Sequence, residues 1–214
     1  IIEKLSDKLF IVNDVNTKSP IGRRMTIIVL PDNTLCLHSP ILVTGLDKEN
    51  VDKLGNVSII LVPNGWHTKD TEAVSNQYPS ATVFFPKDLK HSLKSKIKKQ
   101  AIYEDNWTPS LTEHLKLIPI SGLKKPELVF YHIESKTLIV TDMFFNFESN
   151  KFTGLTKHLM AFNQADRFGT TRLFKWAIVK DKLAFSNSIS TMTKTYEIEK
   201  IIVSHGDIIR ENGG

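Results

Sequence analysis

Hydrophobic and polar residues alternate along the chain in patterns that predict an ordered series of strands. The clearest is the continuous, β-branched run Val57–Val62, which is typical of a strand buried on both faces. Pro63-Asn64-Gly65 ends this strand, because proline cannot donate to a strand ladder and Asn-Gly favours a tight turn. Similar patterns predict strands over residues 8–15, 24–30, 34–38, 81–85, 115–120 and 197–204.

A β-hairpin is predicted further along, where Glu127–Ile133 and Lys136–Asp142 flank the turn residues Glu134-Ser135. Helical patterns occur over residues 47–54, 70–77 and 87–99, and a less regular one extends from 146 to 194. Strands thus come first, then βα units, then more strands, and finally helix and strand. This order favours a mixed α/β sandwich over a regular doubly wound sheet. No repeat or linker divides the chain, so we expect one domain over residues 1–214.

The predicted helix 47–54 has both of its ends marked by sequence. Asp47 is a suitable N-cap, and Gly55 is a suitable stop. These two residues therefore bound the helix in our prediction.

The predicted helix 87–99 is amphipathic and rich in lysine. Leu89, Leu93 and Ile97 recur every four residues, and six lysines occupy other positions of this stretch. No arginine or aromatic residue accompanies these lysines as a base-reading element. We therefore favour a solvated helix face and do not expect a nucleic-acid partner. Salt-dependent binding to DNA or RNA would support the opposite interpretation.

Composition adds few constraints on function. The chain has 214 residues, a formal net charge of +5, and ordinary fractions of hydrophobic (41%) and charged (24%) residues. No apolar run approaches the length that spans a bilayer, so we expect no membrane partner. The single cysteine, Cys36, excludes an internal disulfide and is expected to be a small buried hydrophobe. A reducing, cytoplasmic location is the default expectation.

Side chains that can bind metal follow three of the predicted strands. His67 lies in the loop after Val57–Val62, Asp142 ends the hairpin, and His205 follows the last strand within Ser204-His205-Gly206. In layered α/β folds, ligands bind beyond strand ends of this kind. Each residue taken alone also has an ordinary structural explanation: an exposed loop histidine, a capping aspartate, and a histidine before a turn glycine. Their joint occurrence favours a common site.

Four short motifs, in this order and spacing, resemble the metallo-β-lactamase superfamily. They are Leu35–Pro40 (LCLHSP), the strand and loop Ile59–His67, Thr137–Asp142 (TLIVTD) and Ile201–Gly206 (IIVSHG). Within that superfamily the chain resembles an uncharacterised branch known only as a domain of unknown function. The resemblance covers nearly the whole chain. It implies an αββα four-layer sandwich, with two mixed β-sheets flanked by helices.

The metal-binding motif of that superfamily is degenerate here. Its members typically carry His-x-His-x-Asp-His after the strand that here ends at Pro63. If His67 is the last of these ligands, the other three fall on Val62, Asn64 and Trp66. A further histidine of the family would fall near residues 122–123 and is absent. The resemblance therefore implies that the three-histidine metal site is lost.

The remaining positions match a second metal site of the superfamily. Asp142 matches the aspartate that bridges two metals, and His205 matches the final histidine. With His67, they would hold one zinc, iron or manganese ion. His67, Asp142 and Asn64 are the implied catalytic residues, with Asn64 hydrogen-bonding a water or a ligand. This predicts a single-metal hydrolase of esters or phosphodiesters. The alternative is a non-catalytic domain of the same fold that binds a small molecule or a partner without metal.

Three other residues are further candidates or near neighbours of this site in the predicted arrangement. His38 lies at a strand end and is a weak candidate. Glu127 should lie near Asp142 at the open end of the hairpin and would supply a further carboxylate. His132 is predicted to lie opposite about Leu138, roughly 13 Å from Asp142, which is too far to share an ion.

Overall fold

A computed structural model of the protein describes residues 2–14, 21–93, 97–107, 109–148 and 151–213, except for the side chains of Glu104, Pro109 and Ser110. The chain forms two compact units, residues 1–114 and 115–214, and each contains its own β-sheet. Mixed α/β structure with two sheets is therefore confirmed. Within the described part of the chain, no helix is both long and apolar enough to cross a membrane.

The first unit is built on a seven-stranded sheet whose strands follow one another in chain order. Strands β1 to β4 form an antiparallel meander, and β4 to β7 run parallel. Parallel neighbours need crossover connections, which the helices between these strands provide. The strands are β1 (Ile2–Lys4), β2 (Leu9–Asn13), β3 (Arg24–Val29), β4 (Leu35–His38), β5 (Val57–Leu61), β6 (Thr82–Phe85) and β7 (Gln100–Ile102).

The predicted strand at 57–62 is a central strand of this sheet. β5 pairs with β4 on one side and with β6 on the other, and both pairings are parallel. Ile60, Leu61 and Val62 are completely buried. A strand covered on both faces can tolerate such a continuous apolar run, which explains its sequence.

The helices of the first unit are short. They are α1 (Gly45–Leu54), α2 (Thr71–Gln77), α3 (Lys90–Leu93), α4 (Tyr103–Asn106) and α5 (Pro109–Thr112), with a 3₁₀ turn over Lys87–Leu89. α1 ends at Gly55 as predicted, but its N-cap is Thr44, and Asp47 lies within the first helical turn.

The predicted helix 87–99 is wrong in its second half. Helical structure ends at Leu93, residues 94–96 lie outside the described residues, and Ile97–Lys99 lead into β7. The Lys99 carbonyl accepts a hydrogen bond from the Val83 N–H of β6, so its backbone is already committed to the sheet. Leu89, Leu93 and Ile97 are nevertheless all buried, although only Leu89 and Leu93 lie in helical structure.

The second unit has a four-stranded sheet in the order β11-β10-β9-β8. β10 pairs antiparallel with β9 and parallel with β11, and three helices connect β10 to β11 along the chain. The strands are β8 (Leu115–Ile118), β9 (Val129–His132), β10 (Thr137–Ile139) and β11 (Lys200–Ile202). The helices, α6 (Gly154–Phe162), α7 (Arg172–Ala177) and α8 (Lys182–Thr195), occupy the region with the less regular helical pattern.

The hairpin between β9 and β10 forms where predicted but with a shifted register. His132 pairs with Thr137, whereas the prediction placed it opposite Leu138. The turn explains the difference, because Lys136 adopts a left-handed backbone (φ 49°) and donates its N–H to the Ile133 carbonyl. His132 Nδ1 lies 2.7 Å from Ser135 Oγ and is thus part of this turn. This contact gives His132 a structural role at the closed end of the hairpin.

Candidate metal centre

His67 is held by a tight loop directly after the central strand β5. Asn64 Oδ1 accepts a hydrogen bond from the Trp66 N–H (2.9 Å), and the Asn64 carbonyl accepts one from the His67 N–H (3.3 Å). These bonds close the turn that Pro63-Asn64-Gly65 predicts. His67 is buried, whereas the Trp66 side chain is 52% exposed. The loop therefore turns the imidazole inwards and the indole outwards.

Ser39 orients the His67 ring. Its hydroxyl lies 2.6 Å from His67 Nδ1, and both side chains are buried. A contact at Nδ1 leaves Nε2 as the nitrogen through which this ring would bind a metal. Ser39 is not among the residues that the sequence pattern predicts for the site. The available signal was that Ser39-Pro40 ends β4, the strand that neighbours β5, so the two strand ends lie at one edge of the sheet.

His38 is buried within the sheet, opposite Thr26 of β3 and Leu61 of β5. Burial, and next the charge on nearby His67, lower the pKa of His38 to about 3. The imidazole of His38 is therefore neutral near neutral pH. Its participation in a metal site stays a prediction.

Asp142 and His205 lie together in the second unit. His205 Nε2 is 3.3 Å from Asp142 Oδ1. Each residue lies three positions beyond a paired residue of parallel strands, because Ile139 of β10 pairs with Ile202 of β11. Parallel pairing at equal offsets brings these two side chains to the same edge of the sheet. This is the juxtaposition that the strand-end pattern predicted.

The segment around His205 is packed against the Phe145–Phe147 segment. The Phe145 ring stacks on the His205 imidazole at 5.1 Å, with 14° between the planes. The Asn146 N–H donates to the His205 carbonyl. Gly206 adopts φ +97°, and a Cβ there would collide with the Asn146 carbonyl oxygen. Only glycine fits this close approach, so the position after His205 is sterically determined.

Glu127 anchors the loop that carries Asp142. Its carboxyl oxygens accept hydrogen bonds from three consecutive N–H groups, those of Thr141 (2.8 Å), Asp142 (3.2 Å) and Met143 (3.2 Å). Burial, and then the neighbouring Asp142 carboxylate, raise the pKa of Glu127 to about 7. The predicted proximity of Glu127 and Asp142 is confirmed. These contacts make Glu127 a residue that positions Asp142, and its use as a further metal ligand stays a prediction.

The candidate residues have complementary metal-binding chemistry. His67 offers an imidazole with a defined orientation in the first unit, and Asp142 and His205 offer a carboxylate and an imidazole in the second. Neutral imidazole and carboxylate are the usual ligands of zinc, iron and manganese in proteins. The Asn64 side-chain oxygen accepts from the Trp66 N–H, and the contact that we predict between Asn64 and a water or a ligand stays a prediction.

Neither a family model nor the sequence of a curated protein matches this chain. Solved structures, by contrast, match it over nearly its full length. The DIM-1 metallo-β-lactamase matches with a TM-score of 0.63 at 14% identity, covering 97% of this chain and 90% of the enzyme. Rubredoxin oxygen:oxidoreductase from Desulfovibrio gigas gives 0.65 at 16% identity, covering 99% and 58%. The metal-soaked Flv1 flavodiiron core from Synechocystis sp. PCC6803 gives 0.62 at 13% identity, covering 97% and 56%. At these identities the likeness shows the fold alone.

Proposed function

We propose that this chain, which has the metallo-β-lactamase fold, is a divergent single-metal hydrolase of ester or phosphodiester substrates. The observation that supports this most is the Asp142–His205 pair, which two parallel strands bring to one edge of a sheet. His67 is the third ligand of the proposed ion. The similar solved proteins include metallo-β-lactamases and a metal-soaked flavodiiron core, so metal binding is consistent with this fold.

The residues fit a divalent ion by their chemistry. His67, Asp142 and His205 each offer one ligand atom, which leaves coordination positions for solvent or substrate. Ser39 restricts the rotation of the His67 ring, and Glu127 fixes the backbone that carries Asp142. Ligands that are held by a second set of residues bind metal more tightly than free side chains do. Zinc, iron and manganese all suit this set of ligands.

The proposed mechanism assigns distinct tasks to the residues of the chain. A bound divalent ion would supply the Lewis acidity with which such hydrolases act on esters near neutral pH. Asn64 would hydrogen-bond the substrate or the attacking water. The Phe145 ring shields the His205 imidazole from solvent.

A non-catalytic domain is the second candidate, and the loop before His67 favours it. Val62 has no donor atom, Asn64 uses its oxygen to close the turn, and Trp66 is directed outwards. These three positions are where the superfamily pattern has metal ligands. A domain with this loop would bind a small molecule or a partner without turnover.

Metal content and turnover distinguish these candidates. We would measure zinc, iron and manganese in protein purified without chelator or affinity nickel, beside a His67→Ala/His205→Ala double variant. We expect about one ion per chain in the wild type and its loss in the variant. A His91→Ala/His114→Ala variant is the matched control, because both of these histidines are exposed. This control should retain the ion.

Turnover of p-nitrophenyl acetate and bis(p-nitrophenyl) phosphate is measured next on the metal-loaded protein. Metal-dependent hydrolysis that the double variant lacks would support the hydrolase. A bound ion without hydrolysis of either compound would favour the non-catalytic domain. Absence of metal from the wild type, even after supplementation of the growth medium, would refute the metal site and with it the proposed enzyme.

A further inference from the structure

Helix α6 presents an apolar face to solvent. Leu155, Leu159 and Phe162 recur at i, i+4 and i+7 and so lie on one side of the helix. They are 75%, 58% and 72% exposed, and no residue of α6 is buried. An amphipathic helix normally covers its apolar side with the rest of its domain. Within the described part of the chain, α6 does not.

Helix α7 extends this apolar face. Leu173 is 59% exposed and Trp176 is 80% exposed. Two contacts join the helices: the Arg172 guanidinium lies 5.2 Å from the centre of the Phe162 ring, and Asn163 accepts hydrogen bonds from the N–H groups of Arg172 and Leu173. We call the combined surface the α6–α7 face. Its five apolar side chains are Leu155, Leu159, Phe162, Leu173 and Trp176.

The segment that carries this face contains the net positive charge of the chain. Residues 151–183 include seven lysines and arginines but only two acidic residues, which leaves 21 basic and 21 acidic residues in the rest of the chain. Both of the acidic groups are engaged locally. Asp166 pairs with Arg167 at 3.5 Å, and Asp181 caps helix α8 by accepting from the Leu183 and Ala184 N–H groups. Among the cations, Lys151 pairs with Asp207 at 3.5 Å. The segment that carries the exposed apolar side chains therefore has a net charge of +5, seven basic minus two acidic residues.

We propose that the α6–α7 face binds the surface of an anionic lipid bilayer. Leucine and aromatic side chains that project beside lysine and arginine are typical of helices that lie in the membrane interface. The apolar side chains would enter the boundary of the acyl chains, while the cations contact anionic headgroups. This attachment needs no spanning helix. It therefore replaces our expectation of no membrane partner, which was drawn only from the absence of a spanning segment.

Charge favours this partner over a second copy of the chain. The segment that carries the face is cationic, and the remainder of the sequence sums to zero charge. Pairing two such faces would bring like charges together, which is unfavourable at an interface. An anionic membrane supplies the opposite charge and the apolar phase together.

Vesicle co-sedimentation of the whole chain tests this inference. Vesicles of phosphatidylcholine alone are compared with vesicles that also contain phosphatidylglycerol, at low and at high salt. We expect binding to the anionic vesicles at low salt, and weakening as salt rises. Phe162→Gln/Trp176→Gln should reduce binding at least tenfold. The double variant Lys157→Glu/Lys175→Glu should reduce the affinity for anionic vesicles by about fivefold or more for each residue changed.

Matched control variants separate this face from general surface effects. Leu46→Gln removes an equally exposed leucine of α1 (67% exposed), and Lys116→Glu reverses an exposed lysine of β8. Neither should change vesicle binding. Circular dichroism and thermal unfolding show that each variant is folded. A Trp176→Phe variant keeps the apolar contact, and it should keep binding while losing the quenching of Trp176 fluorescence by spin-labelled lipid.

Two outcomes would overturn the inference. One is the absence of binding to anionic vesicles at low salt by the folded wild type. The other is dimerisation in analytical ultracentrifugation that Phe162→Gln/Trp176→Gln abolishes, combined with equal vesicle binding by wild type and variant. That second result would assign the α6–α7 face to self-association. Metal content and hydrolysis are independent of either outcome.

Discussion

At the scale of single residues, the main finding is that buried polar side chains position the candidate ligands. Ser39 contacts His67, and Glu127 binds the backbone of the Asp142 loop. Neither residue belongs to the proposed ligand set. Each reduces the freedom of a ligand before metal arrives, which is how outer contacts raise metal affinity.

We therefore expect Ser39→Ala to weaken metal binding by about tenfold while the protein stays folded. Metal affinity is measured by competition with a chromogenic chelator. Ser58→Ala is the matched control. It also removes a serine hydroxyl that makes a partly buried hydrogen bond, the 2.6 Å contact with Thr34 Oγ1. Ser39 has φ 58°, so Ser39→Gly, which suits that backbone, tests whether strain rather than the lost hydroxyl lowers affinity. Unchanged affinity in both Ser39 variants would contradict this role.

Glu127 should make stability depend on pH in the metal-free protein. Its pKa is about 7 when folded and near 4.5 when the chain is unfolded. As pH rises, Glu127 ionises earlier in the unfolded chain than in the folded protein. The contribution of Glu127 to the free energy of unfolding is therefore full below about pH 4.5 and is lost by about pH 7. The steepest loss is about 1.4 kcal/mol for each pH unit.

Urea unfolding of chelator-treated wild type and Glu127→Gln across this range measures the effect. The wild type should lose stability relative to the variant as pH rises from about 4.5 to about 7. Glutamine does not titrate, and its one oxygen can still accept from the Thr141 and Met143 N–H groups, whereas its NH₂ group replaces the oxygen that accepts from the Asp142 N–H. A difference between the two proteins that stays constant across this window would show that Glu127 ionises normally.

At the scale of elements, the site depends on the approach of two loops. Gly206 can follow His205 only because it has no Cβ against the Asn146 carbonyl. Gly206→Ala should therefore displace His205 and abolish metal binding, with a destabilisation of about 2–4 kcal/mol. Thermal unfolding and metal content measure the two effects together.

Gly154→Ala is the control for this prediction. Gly154 is also left-handed (φ +56°), but a Cβ there would meet no atom within 4 Å. Its cost should be limited to backbone strain, about 1–2 kcal/mol, and metal binding should be unaffected. Equal behaviour of the two variants would show that the contact with Asn146 is unimportant.

At the scale of the whole molecule, the proposed ion would take ligands from both units. We therefore expect metal to stabilise both units, by about 2.7 kcal/mol at a free metal concentration 100 times Kd. Tryptophan fluorescence can follow each unit separately. Trp176→Phe leaves only Trp66 and Trp107 in the first unit, and Trp66→Phe/Trp107→Phe leaves only Trp176 in the second.

Both reporter proteins should show an upward shift of thermal unfolding on metal addition, and His67→Ala should remove the shift from both. A shift confined to the second unit would exclude His67 as a ligand and leave Asp142 and His205 alone. Coincident unfolding transitions would also support the prediction that residues 1–214 form one domain.

Much of the architecture could be predicted from sequence because it depends on local periodicity. Three features can be recognised from a few adjacent residues: the continuous apolar run of β5, the alternating pattern of the hairpin, and the turn residues that end the strands. β1 and β7 escaped prediction because neither contains a buried apolar residue, whereas the equally short β10 and β11 lie in runs of buried apolar residues. The hairpin register was wrong by one residue because it depends on the conformation of Lys136 in the turn.

The sequence by itself therefore determined the succession of strands along the chain, apart from β1 and β7, and the metal-competent residues that follow three of them. Only the tertiary structure decided which neighbours those residues have. The Ser39–His67 contact depends on β4 lying beside β5, and the Asp142–His205 contact depends on β10 pairing with a strand about 60 residues away. Such contacts arise from sheet order, which is non-local, and no pattern of adjacent residues encodes them.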